Sequence, residues 1–440
     1  MSLPQQFSTP QDYFEEVISF FKEYQYLFNF ANTDILVKNI LDVIDITNLE
    51  NVDVLEKDFN LPLNCNFEFL NGFFEKRDKF KFEYGEFHKD IEDKVDVPVS
   101  PKKAHEIVYM AKEIADVCEQ SPCDVVVDFG SGLGYLDQLL YETTNLKVLG
   151  IECNENHYVN AKRRQRKYHD KSLDNVKYIK HTIGDDSNEN IERFLYDKFG
   201  DYQGFCIAGL HACADLTVDA INLFLKMDNA KSMVLMPCCY HKMCLADFKN
   251  ETFKNFPLSA CLKEIFEGHC GFEFLKVPFL RLAAQPPKTD ASLDKLVFNL
   301  MARAVLQLYA LKHNCKLKRN KRKAVKTKST NNDFLNYVQD AVIGFTLIDN
   351  QLSTSEQNEQ NTTNFDSEEL NSIWRGLSSS IFKKAAVFVL LQNYLQPVIE
   401  NFILYDRLVY LKENGLNNCT FKKIFDANIS PRCLALLAYK

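Results

Sequence analysis

The stretch VVVDFGSGLGYL, residues 125–136, decides the fold. A run of valines, an acid and three glycines spaced two apart read as a buried strand turning sharply into a helix. Working outward, four more β-rich runs follow at helix-length intervals: KVLGIE (147–152), VKYIKHTI (176–183), GFCIAGL (204–210) and SMVLMP (232–237). Strands alternating with helical spacers predict a parallel α/β sheet with right-handed crossovers. Near residue 440 two further β-like runs, CTFKKIF (419–425) and RCLALLAYK (432–440), flank Ser430-Pro431 and predict an antiparallel pair that completes seven strands. Losing the last of these would not be tolerated.

The glycine spacing points to a ligand. A dinucleotide fingerprint reads G-x-G-x-x-G and presents a helix N-terminus to a pyrophosphate. Here Gly130, Gly132 and Gly134 read G-x-G-x-G, and Asp128 precedes them. A carboxylate beside a pyrophosphate repels, whereas S-adenosylmethionine carries a sulfonium and an ammonium. Glu152, ending the second strand 24 residues after Asp128, is placed to accept ribose hydroxyls, and Asp185 after Gly184 to meet the adenine. The expected fold class is α/β: a Rossmann-like, seven-stranded class I methyltransferase sheet, with S-adenosyl-L-methionine as cofactor. It carries a helical N-terminal region and a large helical insertion before the last two strands.

Ligands of open α/β sheets bind outside the carboxyl ends of the strands. The loops after the fourth and fifth strands read LHACADL (210–216) and PCCYHK (237–242). His211 is the candidate general base and Tyr240 a candidate for shaping or stacking on the acceptor. Lys103, Cys238, Cys239 and His241 are expected to line the acceptor side, with His105 bordering it. Asp215 reads as a helix cap. A zinc site from His211, Cys213, Cys238, Cys239 and His241 matches by ligand type, but the paired C-x₂-C spacing is missing, so no metal is expected.

The wider chain has 440 residues, 46% hydrophobic and 25% charged, with 35 Phe and 19 Tyr, enough for a large core in more than one domain. Fourteen cysteines in so long a chain read as reduced thiols rather than a disulfide scaffold. The start lacks the pattern of a signal peptide and the apolar runs are short, so the expected setting is cytoplasmic, with no membrane partner.

Residues 1–98 read as a helical region: Ser8-Thr9-Pro10 starts one helix through Phe14, Ile18 and Phe21, and a second should run from Thr33 through Ile35, Ile40 and Ile44. Ser100-Pro101 opens the cofactor-binding core, 99–244. Residues 245–395 read as a mainly helical insertion, and 396–440 as the last helix and strand pair. The insertion holds a basic segment, 312–328, in which Lys316 to Lys328 supplies eight Lys or Arg residues, and a polar stretch, 353–364, read as a flexible loop. The net charge of −8 argues against a wholly basic nucleic-acid binder, yet this run fits RNA contact or a nuclear localisation signal.

DFGSGLGYL, GLHACADLT, MPCCYHKM, SPKKAHE and the terminal FDANISPRCLALLAYK together resemble the methyltransferase-like 25 family over roughly residues 98–440. The resemblance implies the seven-stranded cofactor domain with added helices and S-adenosylmethionine, but no acceptor. Ala214 stands where relatives more often have Gly. Amino-group methyltransferases of the adenine type show Asn/Asp-Pro-Pro-aromatic after the fourth strand, where this chain has Leu-His-Ala-Cys. The His-x-Cys and Cys-Cys pattern is instead similar to a family of transfer RNA 2′-O-methyltransferases. The expected function is methyl transfer to a macromolecule, RNA or a protein of the translation apparatus. The alternative is a non-catalytic methyltransferase-fold interaction or RNA-binding protein.

Overall fold

The computed structural model describes residues 2–440 apart from 50–51, 57–58, 60, 62–67, 93–94, 96, 248–251, 269–273, 287–291, 321–324, 326–332, 350–361 and 364. Its strands are β1 (Val125–Phe129), β2 (Lys147–Glu152), β3 (Val176–Lys180), β4 (Phe205–Cys213), β5 (Ala230–Cys238), β6 (Leu245–Asp247), β7 (Thr252–Phe253), β8 (Cys315–Arg319), β9 (Phe345–Asp349), β10 (Thr362–Thr363), β11 (Cys419–Lys423) and β12 (Leu434–Tyr439).

Seven of them form one sheet in the order β11-β12-β5-β4-β1-β2-β3. The four pairings among β1 to β5 are all parallel, and β12 runs antiparallel to both β5 and β11. All five residues of β1 are buried, as a strand covered by helices on both faces requires. The strand order reverses between β1 and β4, the switch point at which such sheets open a crevice. The glycine loop and the His211 loop therefore leave neighbouring strand ends.

The Pro101–Gln120 helix starts as its sequence dictates: Ser100 Oγ accepts from the Lys103 amide and proline occupies the first turn. Its apolar face, Val108, Ala111, Ile114 and Val117, packs with Val126, Val148, Cys206, Val234 and Leu437 in the sheet's core. Thr9 and Asp12 bond reciprocally at the start of the Pro10–Glu23 helix, a capping box. The Ser379–Glu413 helix ends on Gly415 (φ 84°), with the Leu416 amide donating back to Leu411. That helix is long and apolar enough to cross a bilayer, but 67% of its most apolar window is buried inside the fold. Its buried Asn401, Asp406 and Arg407 belong to a packed core helix.

By packing the chain divides into two units: Met1–Ser19, Phe80–Lys288 and Pro397–Lys440 form one, and Phe20–Lys79 with Thr289–Gln396 the other. The 1–98 region and the 245–395 insertion are thus each shared between the units rather than standing as separate blocks. The second unit has its own core, with Phe298, Val305, Tyr309, Phe334, Val338, Leu347 and Leu370.

Three expectations change. The second N-terminal helix is replaced by 3-10 turns at Asn32–Asp34 and Ile40–Val43, because Asn39 (φ 50°) takes the left-handed conformation between them. The basic segment does not lie wholly in helix or loop: its start is edge strand β8, in which Cys315 is buried while Lys316, Lys318 and Arg319 are exposed. The rest of the run to Lys328 falls outside the described residues except Asn320 and Val325. Of the 353–364 stretch, Thr362 and Thr363 pair with β9 as β10, and the remainder lies outside the described residues.

Candidate active site

The chain leaves β1 through a loop that only glycine fits well. Gly130, Gly132 and Gly134 have φ of 80°, 59° and 72°. A Cβ on Gly134 would lie 2.1 Å from the Tyr178 hydroxyl oxygen, whereas one on Gly132 meets nothing closer than 3.9 Å. Gly150, which carried no sequence signal, is as constrained: a Cβ there would sit 2.7 Å from Tyr178 and 2.8 Å from both Asp137 and Ser131.

Glu152 closes the loop from β2. One carboxylate oxygen accepts from the Gly132 amide at 2.9 Å and the other from the Asn154 amide at 2.7 Å. Oε1 also accepts from the Cys153 thiol at 3.7 Å, while Oε2 keeps a second lone pair, so a ribose hydroxyl remains within its capacity. Asp128 is 2% exposed, with one oxygen lacking a hydrogen-bond partner, and the buried Ser131 hydroxyl oxygen also lacks one. Burial and then the charge of Glu152, opposed by the neighbouring Asp137 and His211, push the Asp128 carboxyl up to about 6. Burial and then the charge of Asp128 push the Asp137 carboxyl well above the ordinary carboxylate value. Orphaned buried oxygens beside a glycine cradle, next to an acid that resists ionisation, suit a ligand with a positive end.

β3 ends at Lys180, earlier than the expected 183, and Asp185 follows in an exposed turn. Lys226 Nζ donates to the Asp185 carbonyl at 2.5 Å. Asp219 nearby is pushed up to about 6 by burial and then by Asp185 and Asp215. Asp185, Asp215 and Asp219 thus form an acidic group near the turn after β3.

Between β4 and β5 the pairing slips: Gly209 faces Leu235 and Ala212 faces Pro237, so β4 holds one extra residue. This bulge turns His211 out, half exposed, with Nε2 3.5 Å from Glu106 Oε2. Glu106 is buried on the Pro101–Gln120 helix and also accepts from the Ser430 hydroxyl at 2.7 Å. Burial raises its pKa, but bonds from His211 and Ser430 outweigh this and hold it below the ordinary value. His211 also acts electrostatically on Asp128. A carboxylate, an exposed imidazole and the cofactor-loop acid thus gather at the switch point. Glu106 and Ser430 had no local signature, because their link to His211 is tertiary.

Several expected roles do not survive. Tyr240 is fully buried and donates to Glu400 at 2.9 Å, so its ring supports the β5 loop and offers no face to an acceptor. His105 is buried against Phe87, Tyr109 and Phe425 and accepts from the Asp426 amide, a packing role. Asp215 makes no side-chain cap; its carboxylate accepts from the Cys244 amide and from Asn255, both at 2.8 Å. Lys103 lies 4.0 Å from the centroid of Tyr135, whose ring Arg164 also approaches to 4.0 Å, so it braces the residue after Gly134.

Ala214 has φ 54°, a conformation costing a non-glycine residue about 1 kcal/mol. Cys213, Cys238 and Cys239 come together, with all three sulfurs within 4.8 Å of one another. His241 is partly buried and its Nδ1 lacks a partner; burial, and then Arg281, lower its pKa.

Residues 102–245 match a family model described as a methyltransferase domain. Two proteins named probable methyltransferase-like protein 25 are each 28% identical, the mouse one over 254 residues and the human one over 253. The match covers 56% of this chain and 39% and 38% of those relatives, so the chain corresponds to about two-fifths of their length. A solved S-adenosylmethionine-dependent methyltransferase from Geobacter sulfurreducens, in complex with S-adenosyl-L-homocysteine, is 17% identical with a TM-score of 0.21, covering 29% of this chain and 46% of that one. The family-model match and the relatives show that residues 102–245 are similar to a methyltransferase domain and that the chain is similar to part of methyltransferase-like protein 25.

Proposed function

We propose that this chain is an S-adenosylmethionine-dependent methyltransferase acting on a macromolecule, with RNA as the acceptor class. The observation that carries the activity is the His211–Glu106 pair standing beside Asp128 where β1 and β4 diverge. Asp128 and the glycine loop hold the cationic end of the cofactor, Glu152 its ribose, and the Gly184–Asp185 turn its adenine. The cofactor, when bound, supplies an electrophilic methyl group. Everything else is positioning and one proton. With Nε2 directed at Glu106, His211 keeps Nδ1 free to take a proton from the acceptor, and Glu106 stabilises the resulting imidazolium.

The same acid predicts a pH dependence. A cation beside Asp128 favours its ionised form, so below the carboxyl's pKa of about 6 a proton must be displaced before the cofactor binds. Affinity for S-adenosylmethionine should therefore be close to constant above pH 7 and about tenfold weaker at pH 5. Calorimetric titrations at the two pH values measure this.

The exposed Lys316, Lys318 and Arg319 on β8 favour RNA over protein as the acceptor, through phosphate contact. The setting would be cytoplasmic, or nuclear if the basic run serves as a localisation signal. Incubating the protein with methyl-labelled cofactor and fractionated cell RNA and protein tests the acceptor. Label should enter RNA, and replacing the three cations by glutamate should lower the salt slope of RNA binding by about 3. Label entering only protein would remove RNA and leave the transferase standing. Cofactor binding with no transfer to any fraction would favour the non-catalytic scaffold.

A further inference from the structure

The loops after β4 and β5 contain a cluster that methyl transfer as described does not use. Cys213 ends β4, Cys238 ends β5, and the two are register partners on adjacent parallel strands. Their sulfurs are 3.0 Å apart. Cys239 follows in the left-handed conformation (φ 52°), and its sulfur joins the other two within 4.8 Å. Cys239 and Ala214, the neighbour of Cys213, are both non-glycine residues held at positive φ. Backbone strain of this kind persists where surrounding structure enforces it, and it gathers at ligand sites.

We propose that Cys213, Cys238 and Cys239 bind one thiophilic divalent cation of the zinc class. Thiolates about 2.3 Å from zinc at the corners of a tetrahedron stand about 3.8 Å from one another, so three sulfurs within 4.8 Å already outline one face. The fourth corner is left for water or an acceptor atom. Three thiolates around a divalent ion carry one net negative charge, and the structure supplies cations to meet it. Lys242 acts on both Cys213 and Cys239. Arg407 is 2% exposed, both terminal nitrogens of its guanidinium lack hydrogen-bond partners, and it lies 5.3 Å from the ring centroid of Tyr240, next to the cysteine pair in sequence. The ligand set joins one cysteine from β4 to an adjacent pair from β5, so it lacks the C-x₂-C spacing of small zinc modules. That is why the sequence led to no metal being expected.

The test is a metal count on the full chain, purified without chelator or metal resin. One zinc per chain is expected. Cobalt replacing it should give a thiolate-to-cobalt charge-transfer band. Cys213→Ser, Cys238→Ser and Cys239→Ser should each lose the metal and the band, while Cys261→Ser keeps both. Should the serine variants fail to fold, the wild type still decides the matter: its three thiols should resist alkylation until a chelator is added. Metal-free protein that gives no cobalt band, or three thiols equally reactive with and without chelator, overturns the site. So does a Cys213–Cys238 disulfide in the native protein.

Discussion

His211→Ala should bind S-adenosylmethionine within about threefold of the parent and transfer methyl about 10²–10⁴-fold more slowly, the range that a positioned general base supplies. The asymmetry follows from the geometry. His211 is carried on the β4 bulge and turned towards solvent and Glu106, whereas the cofactor contacts belong to the β1 loop and the end of β2. Labelled-methyl transfer under single turnover, with calorimetry alongside, separates the two effects. Loss of cofactor affinity in this variant would mean that the imidazole helps to build the pocket and is not the base. Equal rates would mean that the acceptor needs no base.

Gly134→Val should abolish cofactor binding and destabilise the protein by about 2–5 kcal/mol, summing left-handed strain of about 1–2 kcal/mol and overpacking of about 1–3 kcal/mol. The overpacking part comes from the Tyr178 hydroxyl, which occupies the space a side chain needs, 2.1 Å from the Cβ position. Tyr178 cannot retreat cheaply, being buried and bonded by Gln138 at 3.0 Å. Gly132→Ala has the same strain and no clash, so it should lose only about 1–2 kcal/mol. Denaturant midpoints of the pair measure the difference. Similar losses in both would show that backbone conformation, and not the tyrosine contact, makes glycine necessary at Gly134.

The sheet was legible because its inner strands stand out as apolar runs, and because β2 ends on Glu152, the acid that bonds the glycine loop. Elsewhere the physics lay outside any local window. β8 alternates buried Cys315 with exposed Lys316 and Lys318, but the basic composition hid the alternation. The apolar spacing of Ile35, Ile40 and Ile44 looked helical, yet Asn39 breaks it into 3-10 turns that still bury Ile35 and Ile44. Tyr240 sits in a loop of reactive residues, and only packing against Glu400 and Arg407 reveals that it is core. Glu106 was visible as a residue of SPKKAHE. Its pairing with His211, more than a hundred positions away, depends on how the Pro101–Gln120 helix crosses the sheet.

The cofactor pocket is the claim on which the rest depends, and calorimetry of the purified chain with S-adenosylmethionine tests it most directly. The wild type should bind at one site with micromolar affinity, and Asp128→Ala and Glu152→Ala should each lose that binding while remaining folded by circular dichroism. Folded wild-type protein that takes up no cofactor, or variants that bind as tightly as the parent, would contradict the account.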